Sequence, residues 1–188
     1  MGLSERNLVR RLRRGDRDAC RDLVRRYHES VYGHLRRLGA DPLLAEDLTQ
    51  ETYARAWNRI ETLRKATSLR SWLLTIARNQ FLQWVRVKRV DTAAIEDLPE
   101  AADRAPTVES DLALRDAVAR LEPELQERVA LHYFQGLTLR EVGAVLETPV
   151  GTVKSRIHRA LALLRALLER QETDHEQQRA GKALAGPS

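Results

Sequence analysis

Apolar positions along this chain recur three and four residues apart, and strict alternation is nearly absent, so the pattern predicts helices and no sheet. Ser4 is placed to cap a first helix ending at Gly15, and Asp16 or Asp18 to start a second that runs to about Gly39. Asp41 then stands as an N-cap with Pro42 at the first helical position, and after the polar break KATS another helix extends from about Leu69 to Arg89. Dense helical patterning returns over residues 112–169. Pro123 starts a helix that reads out at Gly136, and Thr138 to Glu141 (TLRE) has the form of a capping box opening a short helix to about Leu146. Thr148 and Pro149 offer cap and first position for one more helix, and two helices joined by so tight a turn form a helix-turn-helix. The expected fold class is all-α, with two small helical domains joined by a flexible acidic linker. Its bounds are 1–90, a linker at 91–111, a helix-turn-helix domain at 112–170 and a small, polar tail at 171–188 expected to be disordered.

Charge changes this picture by being unevenly placed. The 188 residues carry 32 Lys and Arg against 27 Asp and Glu, a net +5 that by itself allows a polyanion partner or an ordinary solvated surface. Residues 64–90, however, contain seven Lys or Arg and no acid, together with Trp72 and Trp84, while residues 91–111 contain seven acids, Arg104 alone as base, and two prolines. The first stretch needs an anion. The second is a linker by composition: a solvated spacer, a tether that lies back on the basic helix, or one that enters a channel that normally holds nucleic acid.

Projection on a helix sorts the candidate chemistry. From Pro149 onward Val150, Val153, Ile157, Ala160, Leu161, Leu164 and Leu168 share one face, and no acid occurs before Glu169. The opposite face carries Thr152, Lys154, Ser155, His158 and Arg159, with Arg156 at its edge, a short-chained cationic surface suited to a major groove. Over residues 69–89, Leu73, Leu74, Ile76, Ala77, Phe81, Trp84 and Val85 form the expected core arc. Thr75, Arg78, Asn79, Gln83 and Arg86 lie on the remaining face with Trp72 among them, either stacking on unpaired bases or wedged against a neighbouring helix. In DLTQETYARAW, residues 47–57, Ala45 and Leu48 point inward with Thr52 and Ala56. Asp47, Gln50, Glu51, Tyr53 and Trp57 make either a protein contact or a solvated face with Trp57 finishing the core. Cys20, the single cysteine, reads as a small core hydrophobe.

Taken in order, DLTQETYARAW, SLRSWLLTIARNQ and TPVGTVKSRIHRAL, with an acidic linker before the last, resemble the small two-domain extracytoplasmic-function (group IV) sigma factors of bacterial RNA polymerase. The resemblance covers roughly residues 5–168. It implies that Asp47, Gln50, Glu51, Tyr53 and Trp57 contact the β′ clamp helices of core polymerase, with the β flap as a further contact. Lys65, Ser68, Trp72, Arg78, Asn79, Gln83 and Arg86 would hold the melted −10 strand. Thr138, Thr152, Lys154, Ser155, Arg156, His158 and Arg159 would serve the −35 duplex. It also implies a cytoplasmic protein, monomeric when free or 1:1 with an anti-sigma factor that holds it inactive until a stress signal, without direct membrane contact. Thr148 stands where relatives often have a bulky apolar residue, and fewer bases follow Arg159 than is usual.

Other functions find less in the sequence. It has no Gly-rich phosphate loop, nucleophile elbow, HExxH or zinc-spaced Cys/His set, so neither catalysis nor a metal or cofactor is expected. MGLSERNLVRR lacks the apolar run of a signal peptide, and no window is long and apolar enough to span a membrane. The rivals are a free-standing helix-turn-helix regulator, for which residues 1–90 would have to be a sensor, and an adaptor that binds polymerase without reading promoters.

Overall fold

The computed structural model describes residues 4–65, 68–91 and 112–184; the acidic linker lies outside the described residues apart from Asp91. Eight α-helices and no strand occur among them: α1 (Glu5–Arg13), α2 (Arg17–Leu38), α3 (Pro42–Arg59), α4 (Leu69–Asp91), α5 (Leu112–Ala119), α6 (Pro123–Val129), α7 (Leu139–Val145) and α8 (Val150–Leu184). The predicted punctuation sets most of the boundaries. Asp16 accepts from the backbone N–H groups of Asp18 and Ala19 at the start of α2, and Asp41 accepts from Leu44 N–H at the start of α3. Gly39 closes α2 at φ +106°, a left-handed conformation a side chain would resist.

Four local expectations are corrected. The Ser4 side chain makes no cap; its carbonyl alone receives the N–H groups of Asn7 and Leu8. Thr148 does not cap α8, because its hydroxyl donates to the Leu146 carbonyl at 3.0 Å. The Pro149 carbonyl instead accepts from Val153 N–H at 3.1 Å, which makes Pro149 the cap and Val150 the first helical residue. The helix from Pro123 relaxes after Val129 into a π-turn, Ala130–Phe134, before Gly136 reverses the chain at φ +65°. Finally, α8 continues to Leu184, past Gln171 where a disordered tail was expected. The sequence there, QETDHEQQRAGKAL, is rich in strong helix formers, so propensity extends a helix that a packed face has started.

The core begins as a three-helix layer of α2, α3 and α4, with α1 laid across α2. Leu23, Tyr27, Val31 and Leu35 of α2 and Leu69, Leu73, Leu74, Ala77 and Phe81 of α4 are all buried there. Small residues of α3, Ala45 and Ala56, let that helix approach closely. Gln80 is buried too, and its amide donates to the Thr52 hydroxyl at 3.0 Å, which satisfies both polar groups inside the layer. His34 of α2 is fully buried and stays neutral, its pKa pushed down to about 3 by burial and by the nearby Arg37 and Arg78 charges. Cys20 is half-buried against this core, and burial pushes its thiol up.

Trp84 departs from its expected place: it is half-exposed, stacked on Phe81 with Lys88 4.9 Å above its ring. The arc of α4 is narrower than its apolar residues suggest, because Leu82 and Val87 are exposed as well.

The second half of the chain does not keep its core to itself. Helix α7 packs on α4, and Leu131, Leu137, Val142, Val145, Val153 and Ile157 join the same buried cluster as Leu69 and Leu73. A smaller cluster, Leu121, Leu125, Val129, Ala160 and Leu164 among its members, forms where α5 and α6 meet α8. A seven-residue helix such as α7 gains by using a neighbour's apolar face.

The turn between α7 and α8 fixes where the cationic helix projects, and it turns on Gly143. Thr148 N–H bonds the Gly143 carbonyl at 2.9 Å, while a Cβ at Gly143 would lie 2.7 Å from the Thr148 carbonyl oxygen. Because that neighbour is backbone, it cannot swing aside. Gly143→Ala is expected to destabilise the fold by about 1–3 kcal/mol, the usual cost of forced overpacking, read as a lower urea midpoint in equilibrium unfolding.

Candidate nucleic-acid interface

Helix α4 carries the first candidate surface. Trp72, Thr75, Asn79, Gln83 and Arg86 follow one another at steps of three and four and therefore form one stripe. Asn79, Gln83 and Arg86 are exposed or half-exposed at its far end, and Trp72 at its near end packs partly against the core. Lys65 and Ser68 flank the turn into α4, with Lys65 exposed and Ser68 half-exposed, its N–H bonded to the Lys65 carbonyl at 3.0 Å.

Arg78, one residue round from the stripe, is not free. Its Nε donates to the Glu127 carboxylate of α6 at 2.8 Å, with both side chains largely covered at 19% and 14% exposure. Arg70 reaches the same half of the chain by donating to the Gln135 carbonyl at 2.7 Å. Gln135 also exchanges hydrogen bonds with Ser30 of α2, accepting from its hydroxyl and donating to its carbonyl. Sequence reasoning missed Glu127 and Gln135. No periodicity links residues 49 and 105 positions apart, so only the fold brings them together.

The second surface is the first half of α8. Thr152, Lys154, Ser155, His158 and Arg159 are exposed and Arg156 is half-exposed, opposite buried Val153, Ile157 and Ala160. Ser155 donates to the Thr152 carbonyl, and Arg159 makes a loose 3.3 Å contact with Glu122 in which both partners stay open to water. Thr138 is set apart from these groups by its role as a cap. Its N–H and hydroxyl both donate to Glu141, whose own N–H returns to the Thr138 oxygen, as the capping box predicts.

The third surface is on α3. Asp47, Gln50 and Glu51 are exposed, with Glu51 paired to Arg55 in the next turn. Tyr53 and Trp57, three and seven residues on from Gln50, are half-buried at the edge of the same face and pack partly against the core. The Tyr53 hydroxyl is buried without a hydrogen-bond partner among the described residues, and burial raises its pKa above the usual phenol range.

Two family models match the chain, sigma-70 region 2 over residues 23–90 and sigma-70 region 4 over residues 111–164. CarQ, an RNA polymerase sigma factor of Myxococcus xanthus, is 36% identical over 85% of this chain and 95% of its own length. The chain belongs to the ECF RNA polymerase sigma factors. Another member, SigE of Mycolicibacterium smegmatis, is 35% identical over 83% of this chain, which spans only 64% of SigE. Among solved structures, the sigma factor RpoE of Bartonella quintana, crystallised with the anti-sigma factor NepR, superposes with a TM-score of 0.64 at 26% identity. That match covers 78% of this chain and 94% of RpoE. The region 2 match contains α3 and the α4 stripe, and the region 4 match contains α7 and the cationic half of α8.

In this ECF sigma factor the Arg78–Glu127 pair joins the two matched regions, and removing either partner alone leaves a covered charge unpaired. Because both groups keep some exposure, Arg78→Ala and Glu127→Ala should each cost about 1–2 kcal/mol, and the double variant clearly less than their sum. A double-mutant cycle by urea unfolding measures the coupling. Strict additivity would mean that the contact contributes nothing.

Proposed function

We propose that this ECF sigma factor is a cytoplasmic transcription initiation factor that binds bacterial core RNA polymerase and directs it to promoters. Asp47, Gln50 and Glu51 on the outer face of α3 meet the polymerase, with half-buried Tyr53 and Trp57 at the edge of that face completing the contact. Lys65, Ser68 and the stripe from Trp72 to Arg86 hold the melted −10 strand. Unstacking a base costs a few kcal/mol, which aromatic stacking and phosphate contacts offset. Thr152, Lys154, Ser155, Arg156, His158 and Arg159 enter the major groove of the −35 duplex, while Thr138 orients the helix-turn-helix through its cap.

The observation that carries this reading is the acid-free, exposed cationic half of α8, set on a turn that a glycine at 143 lets close without a clash. The −10 role adds a condition. Arg78 already gives its Nε to Glu127, so a phosphate that takes this side chain competes with the contact between the halves. A further partner fits the same account: RpoE of Bartonella quintana was crystallised with the anti-sigma factor NepR, and an anti-sigma factor of similar type would restrain this chain in a 1:1 complex.

Gel filtration with bacterial core polymerase tests the reading. The wild-type chain should co-elute, and the Gln50→Ala/Glu51→Ala variant should be retained several-fold less while unfolding at an unchanged midpoint, since both side chains are exposed. A chain that never co-elutes yet binds duplex DNA with a steep salt dependence would be a free-standing helix-turn-helix regulator.

A further inference from the structure

Helix α1 lies before the part of the chain that the region 2 model matches, and one wall of an open cleft is built from it. Arg6, Val9, Arg10, Arg13 and Arg14 line this cleft of about 410 Å³ together with Arg64, which follows the turn after α3. All five guanidinium side chains are exposed, and no carboxylate lines the cleft.

The helix treats its arginines in two ways. Arg11, on the side turned toward α2, is held by Asp16 at 2.7 Å and Asp22 at 2.8 Å. Leu8, Val9 and Leu12 bury the inner face, and Glu5 accepts from the Tyr27 hydroxyl. On the cleft side the Arg10 guanidinium bonds the Asn7 amide, and the side chains of Arg6, Arg14 and Arg64 make no hydrogen bond or ion pair among the described residues. Arg13 ties the two walls together by donating to the Leu63 carbonyl, with Glu61 a loose 3.6 Å away at the rim. A structural need for positive charge would be met by pairing, as at Arg11. The remaining cations repel one another until an anion enters.

The spacing states which anion. Arg6, Arg10 and Arg14 recur every four residues, so they step along α1 by about 6 Å, a row of forks rather than a single pocket. Such a row suits a polymer of phosphates, for which the planar guanidinium is the preferred ligand. Arg64 adjoins Lys65, so the row continues the loop assigned above to the −10 strand.

We propose that the cleft between α1 and the loop at Leu63–Lys65 holds the phosphodiester backbone of a single DNA strand as it leaves that loop. This rests on the reading of the loop and α4 as strand-binding, and extends the bound strand over a helix outside the region 2 match. The residues that hold it are Arg6, Arg10, Arg14 and Arg64; Arg13 positions the loop.

The test is fluorescence anisotropy of the full chain with a labelled mixed-sequence single strand of about 20 nucleotides, titrated at several salt concentrations. Three lost phosphate contacts should lower the slope of log affinity on log salt by about 2, at about 0.7 per contact on a single strand. Arg6→Ala/Arg10→Ala/Arg14→Ala should therefore weaken binding at least tenfold at low salt and flatten the slope by that amount. The triple Lys variant, which keeps charge and solubility, should retain the slope. Unchanged slope and affinity in the Ala variant would overturn the proposal, as would a wild-type chain that binds no strand. A parallel Asn79→Ala/Gln83→Ala variant separates the two readings. If it alone weakens binding, the strand lies on α4 but not in the cleft; if only the arginine variant does, the α4 assignment fails. A polyglutamate peptide that binds the wild type but not the arginine variant, when DNA distinguishes neither, would assign the cleft to an acidic protein segment and overturn the proposal.

Discussion

Helix α4 is the member on which the rest depends. Leu69, Leu73, Leu74, Ala77 and Phe81 are buried in one continuous cluster that takes contributions from α1, α2 and α3 and also from α7 and α8. Each fully buried aliphatic side chain of this kind contributes about 1.5–3 kcal/mol relative to exposure, so this helix face anchors both matched regions. Because the same face is used from both directions, the helix has little freedom to rotate. Its remaining surface, the stripe from Trp72 to Arg86, is thereby fixed in direction.

That constraint explains how the charge is divided. Arg70 and Arg78 lie where the second half of the chain arrives, and each is engaged by it, through the Gln135 carbonyl and the Glu127 carboxylate. Asn79, Gln83 and Arg86 lie farther along and remain open. On α8 the buried residues of the other face are held by α7, α5 and α6, which leaves Lys154 and Ser155 facing water. The cations that complete the fold have partners. How each cation is placed, rather than net charge, distinguishes the surfaces: the Arg78–Glu127 contact is covered, whereas Arg159 meets Glu122 with both side chains open to water.

Much of this was legible locally. Caps at Asp16, Asp41 and Thr138 act through bonds to residues two or three positions away, and the acid-free face of α8 is a matter of period alone. What periodicity could not reveal falls into two kinds. Trp84 belongs to the apolar arc by angle, yet it stays half-exposed, stacked on Phe81; angle says nothing of how far a partner extends. The pairing of Arg78 with Glu127, like that of Ser30 with Gln135, depends on how two distant segments dock. Trp57 illustrates the same limit on α3, where the sequence left a surface contact and a core role equally open and the side chain is half-buried, packed partly against the core.

The central claim is that one chain, through α4 and α8, tells core polymerase where to start. Sequencing the 5′ ends of RNA made from genomic DNA by core polymerase with this chain tests it most directly, beside a Lys154→Ala/Arg156→Ala variant. The account predicts discrete start sites preceded by two shared sequence blocks at constant spacing, and their loss with the variant. Start sites no different from those of core polymerase alone would contradict it.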